Sequence, residues 1–320
     1  MNSDFLEQEL AEVRKVIDEA LRTGRGAANA KITASVGALF HAGGKFLRPR
    51  ILLLSAMTGK YAPERIRPLA AAVELLHTAT LIHDDVIDDS PSRRGLPAVH
   101  VVTGQKDAVL AGDWLFSRCF LLAAERSSPE NARNLARAID IIVSAEMRQD
   151  AGRWVFTPSV RDCLRKIGGK TATLFALAAR AGAVEAKAPE RIVSAVSRAA
   201  WAAGIAFQIQ DDILDWTGNE TETGKTVRND LAEGFCTLPL ALALREAPEA
   251  LAPLLTPEAI GSGAGSEIAK IVAATGSIEE AAARAKAYRD RSLTDLARIP
   301  ASYARDELER VFTSFIGRSK

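Results

Sequence analysis

Long apolar segments at helical spacing dominate this chain and leave almost no place for strands. Residues 63–88, 105–124, 129–151, 160–182, 189–216 and 278–297 all repeat apolar side chains every three to four positions. Several are too apolar for a one-sided surface helix, so they belong inside a bundle. About one residue in six is alanine, and alternating β-branched or aromatic runs are nearly missing, so helix propensity outweighs strand propensity. The expectation is an all-α fold. Helix starts are marked at Ser128-Pro129-Glu130, Thr157-Pro158, Thr256-Pro257 and Ser277 with Glu280, the last a capping-box spacing. The run GSGAG at 261–265 predicts a short helix and a mobile connection there. Nothing resembling a long Pro/Gly/Ser linker appears, which suggests one domain over residues 1–320.

Charge and cysteine content exclude several functions. Lys+Arg 41 against Asp+Glu 40 gives a formal charge of +1, so no global basic field favours nucleic acid, and any anion site must be local. Cys119, Cys163 and Cys236 are widely spaced and odd in number, which argues against a disulfide framework or a structural zinc. The acidic start MNSDFLEQELAEVRK does not read as a secretory leader, and no stretch approaches eighteen consecutive apolar residues. A cytoplasmic chain without stable membrane insertion is expected.

One acidic motif occurs twice, as Asp84-Asp85-Val86-Ile87-Asp88 and as Asp211-Asp212-Ile213-Leu214-Asp215, each near the C-terminal end of a long apolar helix. Residues four apart on a helix lie about 40° around the axis, so Asp84 pairs with Asp88 and Asp211 with Asp215. The first stripe continues backwards through Thr80, His77 and Val73, and the second through Gln208, Phe207 and Gly204. Carboxylates at a helix C-terminus oppose the macrodipole and repel one another. A hard divalent cation offsets both costs. One copy alone is compatible with a solvated helix end. Two copies, each leaving an apolar flank, point to a site. Oxygen-only ligands without nearby cysteine favour Mg²⁺, with Mn²⁺ able to substitute, and Mg²⁺ usually arrives with substrate phosphates. Basic residues for such phosphates lie close in sequence: Lys45 and Arg48 after Gly43-Gly44, Arg93-Arg94-Gly95, Lys170 after Gly168-Gly169, and Lys225 after Gly224.

The ordered segments GGKFLRP, ELLHTATLIHDDVIDDSPSRRG, GDWLFSR, GGKTATLF, FQIQDDILDWTG, GKTVRNDLAEG and TLPL resemble the trans-isoprenyl diphosphate synthases, from about residue 40 to about 245. The resemblance implies an all-α bundle around a deep cavity and condensation of isopentenyl diphosphate with an allylic diphosphate. It implies that Asp84, Asp88 and Asp211 ligate Mg²⁺, supported by Asp85, Asp212 and Asp215, with the two motifs facing across one cavity. Arg93, Lys170 and Lys225 would hold the allylic diphosphate, and Lys45, Arg48, His77 and Arg94 that of isopentenyl diphosphate. Thr171 and Gln208 match positions beside the reacting carbons, and Glu146 and Gln149 match polar cavity positions loosely. Phe235 stands where many relatives carry a lysine that helps bind the allylic diphosphate.

In the family, bulky aromatics four and five residues before the first motif stop chain growth. Here Thr80 and Ala79 occupy those positions, which implies a medium-to-long all-trans product, with a farnesyl or geranylgeranyl synthase as the alternative. A terpene cyclase usually replaces the second DDxxD by an Asn/Ser/Glu-type motif, and a non-catalytic prenyltransferase subunit tends to lose the acidic motifs. Neither departure is seen here. An EF-hand is excluded by the missing alternating ligands, central glycine and distal glutamate. The resemblance further implies a homodimer, with segment 105–124 as a candidate interface.

Overall fold

A computed structural model describes residues 2–23, 30–42, 44–157, 159–217 and 229–316. The elements in chain order are α1 (Ser3–Thr23), α2 (Ala30–His41), α3 (Leu47–Ala56), α4 (Pro63–Ile87), a two-residue hairpin of β1 (Ser92–Arg93) and β2 (Leu96–Pro97), α5 (Val99–Thr103), α6 (Gln105–Arg126), α7 (Pro129–Ala151) and α8 (Val160–Ile167). A π-helical turn, Gly168–Ala172, leads into α9 (Thr173–Glu185), α10 (Glu190–Thr217), α11 (Asn229–Ala232), α12 (Leu238–Glu246), α13 (Pro248–Leu251), α14 (Pro257–Gly261), α15 (Gly265–Ala274), α16 (Ser277–Leu296) and α17 (Tyr303–Thr313). The fold is all-α, as the apolar periodicity requires. Its contacts divide it into two compact units, each described by itself: unit 1 comprises Met1–Ala136, Leu177–Val196 and Pro300–Glu307, and unit 2 comprises Arg137–Ala176, Ser197–Ile299 and Leu308–Lys320.

In unit 1, α1 packs on α3 and α4 through Leu6, Leu10, Val13, Ile17 and Leu21, one apolar stripe at steps of three and four. α4 is different: residues 69–76 are buried all round, because α1, α3 and α6 cover it. That burial includes Glu74, one acid inside an apolar run. A polar junction of the same unit gathers on Glu185, whose carboxylate receives Arg65, the Ser128 backbone N–H (3.0 Å) and Asn131 Nδ2 (2.7 Å).

In unit 2, Ile205, Ile209, Ile213 and Trp216 form the inner stripe of α10 and pack on Leu238, Leu240 and Leu242 of α12, with Ile268 and Val272 of α15 and Ala281 and Ala285 of α16 in the same core. Two helix starts differ from the sequence reading. α8 opens at Val160, where Ser159 and Asp162 cap each other reciprocally, not at Thr157-Pro158; Pro158 lies outside the described residues. α16 is preceded by Gly276 in the left-handed region at φ 69°, and the Ser277 hydroxyl is engaged with Thr275 (2.6 Å), so no capping box forms with Glu280. Thr256 does cap its helix, accepting from the Ala259 N–H at 3.1 Å, and α14 is only five residues long.

The continuous helix expected over 160–182 is interrupted by the π turn. Close packing explains it. A Cβ on Gly169 would meet Ala145 Cβ at 2.7 Å, and a Cβ on Gly204 would lie 2.7 Å from Ala172 Cα, so α7 and α10 press on this turn where no side chain intervenes. The extra residue of a π turn re-aims the side chains that follow, here Lys170 and Thr171.

Candidate functional site

In unit 1 the chain leaves α4 through the first acidic motif. Asp84 is half-buried, Asp85 is 1% exposed, and Asp88 sits just past the helix, its N–H bonded to the Asp84 carbonyl at 2.8 Å. The hairpin brings Arg93 back onto Asp85, whose Oδ1 accepts from Nε at 2.8 Å and from Nη2. Its turn residues, Arg94 at φ 54° and Gly95 at φ 75°, both lie in the left-handed region, the conformation a two-residue hairpin loop demands. Burial pushes the Asp85 carboxyl up, and Arg93 pulls it partly back. Asp85 Oδ2 is buried with no hydrogen-bond partner. An orphaned carboxylate oxygen at this place is what a cation would satisfy.

The predicted isopentenyl-side residues form a second group in unit 1. Phe46, buried at φ 48° with the Arg14 guanidinium 4.2 Å over its ring, fixes the turn from exposed Lys45 into half-buried Arg48. Arg94 donates to the Leu39 carbonyl at 2.9 Å and approaches Glu74 Oε1 at 3.8 Å. Gly44 beside it sits at a φ of 142°, a conformation that residues with a Cβ rarely adopt. Burial, with Arg48, Arg94 and Arg93 nearby, holds His77 well below the ordinary imidazole range, so it acts as a neutral hydrogen-bonding group at pH 7. Burial raises Glu74, opposed by Arg48, Arg94 and Arg14. The sequence reading missed Glu74, although an acid three residues before His77 in the run AAAVELLHTATL was a legible clue. Thr80 is half-buried, its hydroxyl donating to the His77 carbonyl at 2.8 Å, whereas Ala79 is fully buried.

In unit 2 the second motif ends α10. Asp211 is exposed, Asp212 is 5% exposed, and Asp215 is half-buried with Oδ1 accepting from the Asn229 N–H at 3.1 Å. A relay ties Asp212 to the π turn: Thr171 Oγ1 donates to Gln208 Oε1 (2.7 Å), and Gln208 Nε2 donates to Asp212 Oδ1 (3.0 Å). Lys170 Nζ donates to Glu146 Oε2 at 3.1 Å. A cavity of about 120 Å³ is lined by Lys166, Lys170, Thr171, Gln208, Asp212 and Asp230, with Gln149 and Phe235 on its wall. Burial and the neighbouring Asp230 and Asp211 push Asp212 well above the carboxylate range. Burial, Asp215 and Glu233 push Asp230 up to about 7, with Lys170 opposing. Four acids crowded at one helix end destabilise each other unless cations intervene, so this donor set also fits a divalent metal.

The structure therefore groups Arg48, His77 and Arg94 in unit 1, and Lys170, Thr171, Gln208 and Asp212 in unit 2. It adds Asp230 and Lys166, whose places the motif reading left blank. Lys225 lies outside the described residues. Phe235 is 9% exposed, with the Arg153 guanidinium 4.8 Å over its ring.

The sequence profile of the Polyprenyl synthetase family matches residues 29–273. The chain belongs to the polyprenyl synthetase family. Heptaprenyl diphosphate synthase component 2 of Geobacillus stearothermophilus is 36% identical over 318 residues, covering 98% of this chain and 97% of the relative. A polyprenyl synthase from Caulobacter crescentus CB15, solved with calcium and isoprenyl diphosphate, superposes with a TM-score of 0.91 at 34% identity, covering 99% of this chain and 97% of that one. A decaprenyl diphosphate synthase from Rhodobacter capsulatus superposes at 0.92 with 32% identity, covering 99% and 98%. As a polyprenyl synthetase, the chain is a prenyltransferase of the isoprenoid synthase fold.

Proposed function

We propose that this polyprenyl synthetase condenses isopentenyl diphosphate with an allylic diphosphate to a medium-to-long all-trans polyprenyl diphosphate, with Mg²⁺ or Mn²⁺ as its metal and the two units acting as one prenyltransferase domain. The observation that carries the reading is the crowding of Asp211 and Asp230 on buried Asp212, and of Asp215 on Asp230, beside the cavity that holds Lys170. Such an arrangement is unfavourable empty and favourable around cation-bound diphosphate. Asp84, Asp88 and Asp211 would be the metal ligands, with Asp85, Asp212 and Asp215 supporting them. Among the described residues no three His, Cys, Asp or Glu side chains form a ready-made cage, so the proposed ion would need further oxygens, as Mg²⁺ takes them from substrate phosphate. When bound, the metal would neutralise the diphosphate and ease its departure.

The chain's own residues do the rest. Arg93 and Lys170, with Lys225, would take up charge on the departing diphosphate; unit charges 4 Å apart attract by about 4 kcal/mol at an effective dielectric of 20 against about 1 in water. Lys45, Arg48, neutral His77 and Arg94 would orient the second diphosphate. Thr171 and Gln208, already bonded to each other, would sit beside the reacting carbons and steer proton loss to the departing diphosphate. Apolar helix surface below the acids would exclude water from the allylic cation. Thr80 and Ala79 leave the floor without an aromatic, which supports the longer product.

We further propose a homodimer, since α6 exposes Val109, Leu110, Phe120 and Leu121, and a cytoplasmic location from the cysteine pattern of the sequence. The name of the Geobacillus relative, a component 2, favours a second arrangement with a different companion chain. Purified chain, Mg²⁺, isopentenyl diphosphate and an allylic primer decide both points. Metal-dependent diphosphate release with products longer than geranylgeranyl by mass supports the assignment, and products ending at farnesyl refute the length. Activity only after adding a second polypeptide refutes the homodimer.

A further inference from the structure

Unit 2 carries a second concavity that the catalytic reading does not use. α8, α10 and α16 bound an open groove of about 560 Å³, within the range of ligand-sized pockets. Its floor is apolar and aromatic, from Val160 and Leu164 on α8 with Trp201 and Tyr288, whose rings meet edge to face at 6.2 Å. Its other lining residues are Arg161, Arg165 and Arg284, and none is acidic. Arg291 adds a guanidinium 5.9 Å above the Trp201 ring. Asp162 and Glu280, outside the lining, hold Arg165 (2.8 Å) and Arg284 (2.6 Å) in place. The whole chain carries only +1, so this concentration of cations is local.

Tryptophan and tyrosine beside arginines on an apolar floor are the groups that settle at a lipid–water boundary, where rings sit at headgroup depth and guanidinium groups fork onto phosphate. The groove is open on one side, which suits a ligand whose remainder stays in a bilayer. We propose that it docks the phosphate head of an anionic phospholipid and so seats this face on a membrane surface. The helix α8 carries Arg161 and Arg165 outward and Cys163 and Ile167 inward, so docking leaves the inner face in place. Gly168 at the end of α8 lies against the same Trp201, since a Cβ there would be 3.4 Å from Cζ2.

Cosedimentation of the full chain with vesicles tests this. Capture by vesicles containing about 30% phosphatidylglycerol should exceed capture by pure phosphatidylcholine by on the order of tenfold, and Arg161→Glu with Arg165→Glu should remove that excess. Salt at about 0.5 M should weaken the capture. Lys60→Glu with Lys270→Glu, exposed residues outside the groove and outside α6 with the same change in net charge, should retain it. Both double variants should keep wild-type helical content and turnover of a soluble primer. Equal capture by neutral vesicles, or undiminished capture by the groove variant, overturns the proposal. So does saturable binding of soluble dihexanoyl phosphatidate without vesicle capture, which makes this a site for a free phosphorylated amphiphile.

Discussion

The same five-residue pattern closes two helices of this protein, and the two ends are electrostatically unlike. In both, the middle aspartate folds inward, Asp85 at 1% and Asp212 at 5% exposure. Asp85 meets a guanidinium, clamped by Arg93 from the hairpin, with one oxygen left over. Asp212 meets an amide and further acids, held by Gln208 and repelled by Asp230 and Asp211. Among the described residues, the first buried carboxylate is paired with an arginine, whereas the second stands among further acids, with Lys170 opposing the charge on Asp230. A repeated motif thus specifies where carboxylates stand, while the partner segment decides what each costs.

The harshest way to break the comparison is to remove an outer carboxylate at either end. Asp84→Ala and Asp211→Ala should each cut turnover by on the order of a thousandfold or more while circular dichroism stays unchanged, since the loss falls on transition-state charge. Retained activity in either variant removes that motif from the metal assignment. Titration of metal-free protein should separate the ends next. Asp230 has a folded pKa of about 7, above the ordinary carboxylate value near 3.8, so the folded state holds its proton more tightly. That contribution is complete below about pH 4 and is lost as pH rises through 7. The melting temperature without metal should therefore fall from pH 5 to 8, added Mg²⁺ should flatten the trend, and Asp230→Asn should weaken it. A slope unchanged in Asp230→Asn contradicts the acid-crowding account.

Neutral replacements of the buried aspartates should then differ in sign. Asp85→Asn leaves Arg93 facing an amide and should destabilise the metal-free protein by about 2 kcal/mol. Asp212→Asn relieves repulsion while keeping an acceptor for Gln208, and should leave denaturant stability equal or higher although activity falls. Equal losses in urea melts for the two variants erase the distinction. Gly204→Ala sharpens the second end alone: its methyl meets Ala172 Cα at 2.7 Å, so overpacking of about 1–2 kcal/mol should displace the turn carrying Lys170. The smallest effect is on product length. Thr80→Phe should shorten the product seen by mass spectrometry with little loss of stability, whereas Ala79→Phe enters a fully buried position and should also lower the melting temperature.

Much of this arrangement was legible in the residues. The helices over 63–88, 105–124 and 129–151 are found within two residues of the expected ends, because apolar spacing is a local property. Thr171 and Gln208 match, by resemblance, positions beside the reacting carbons, and the hydrogen bond of 2.7 Å between them is visible only in the structure. Glu146 was a loose match and proves to be the partner of Lys170. The break at 168–172 was not legible, since Gly168-Gly169 reads equally well as a helix stop, and only the pressure of Ala145 on Gly169 shows why the helix widens instead. Glu74, Asp230 and the arginine groove escaped for a related reason: each takes its meaning from segments tens of residues away.

What the sequence alone determined is the helical class and the two acid-bearing helix ends, because periodicity and motif spacing are written within one or a few turns. Only tertiary structure decided which aspartate is compensated, which imidazole stays neutral and where arginines gather over an aromatic floor. Those outcomes depend on burial and on charges brought in from distant segments, and electrostatic energy responds to distance in space, whatever the separation along the chain.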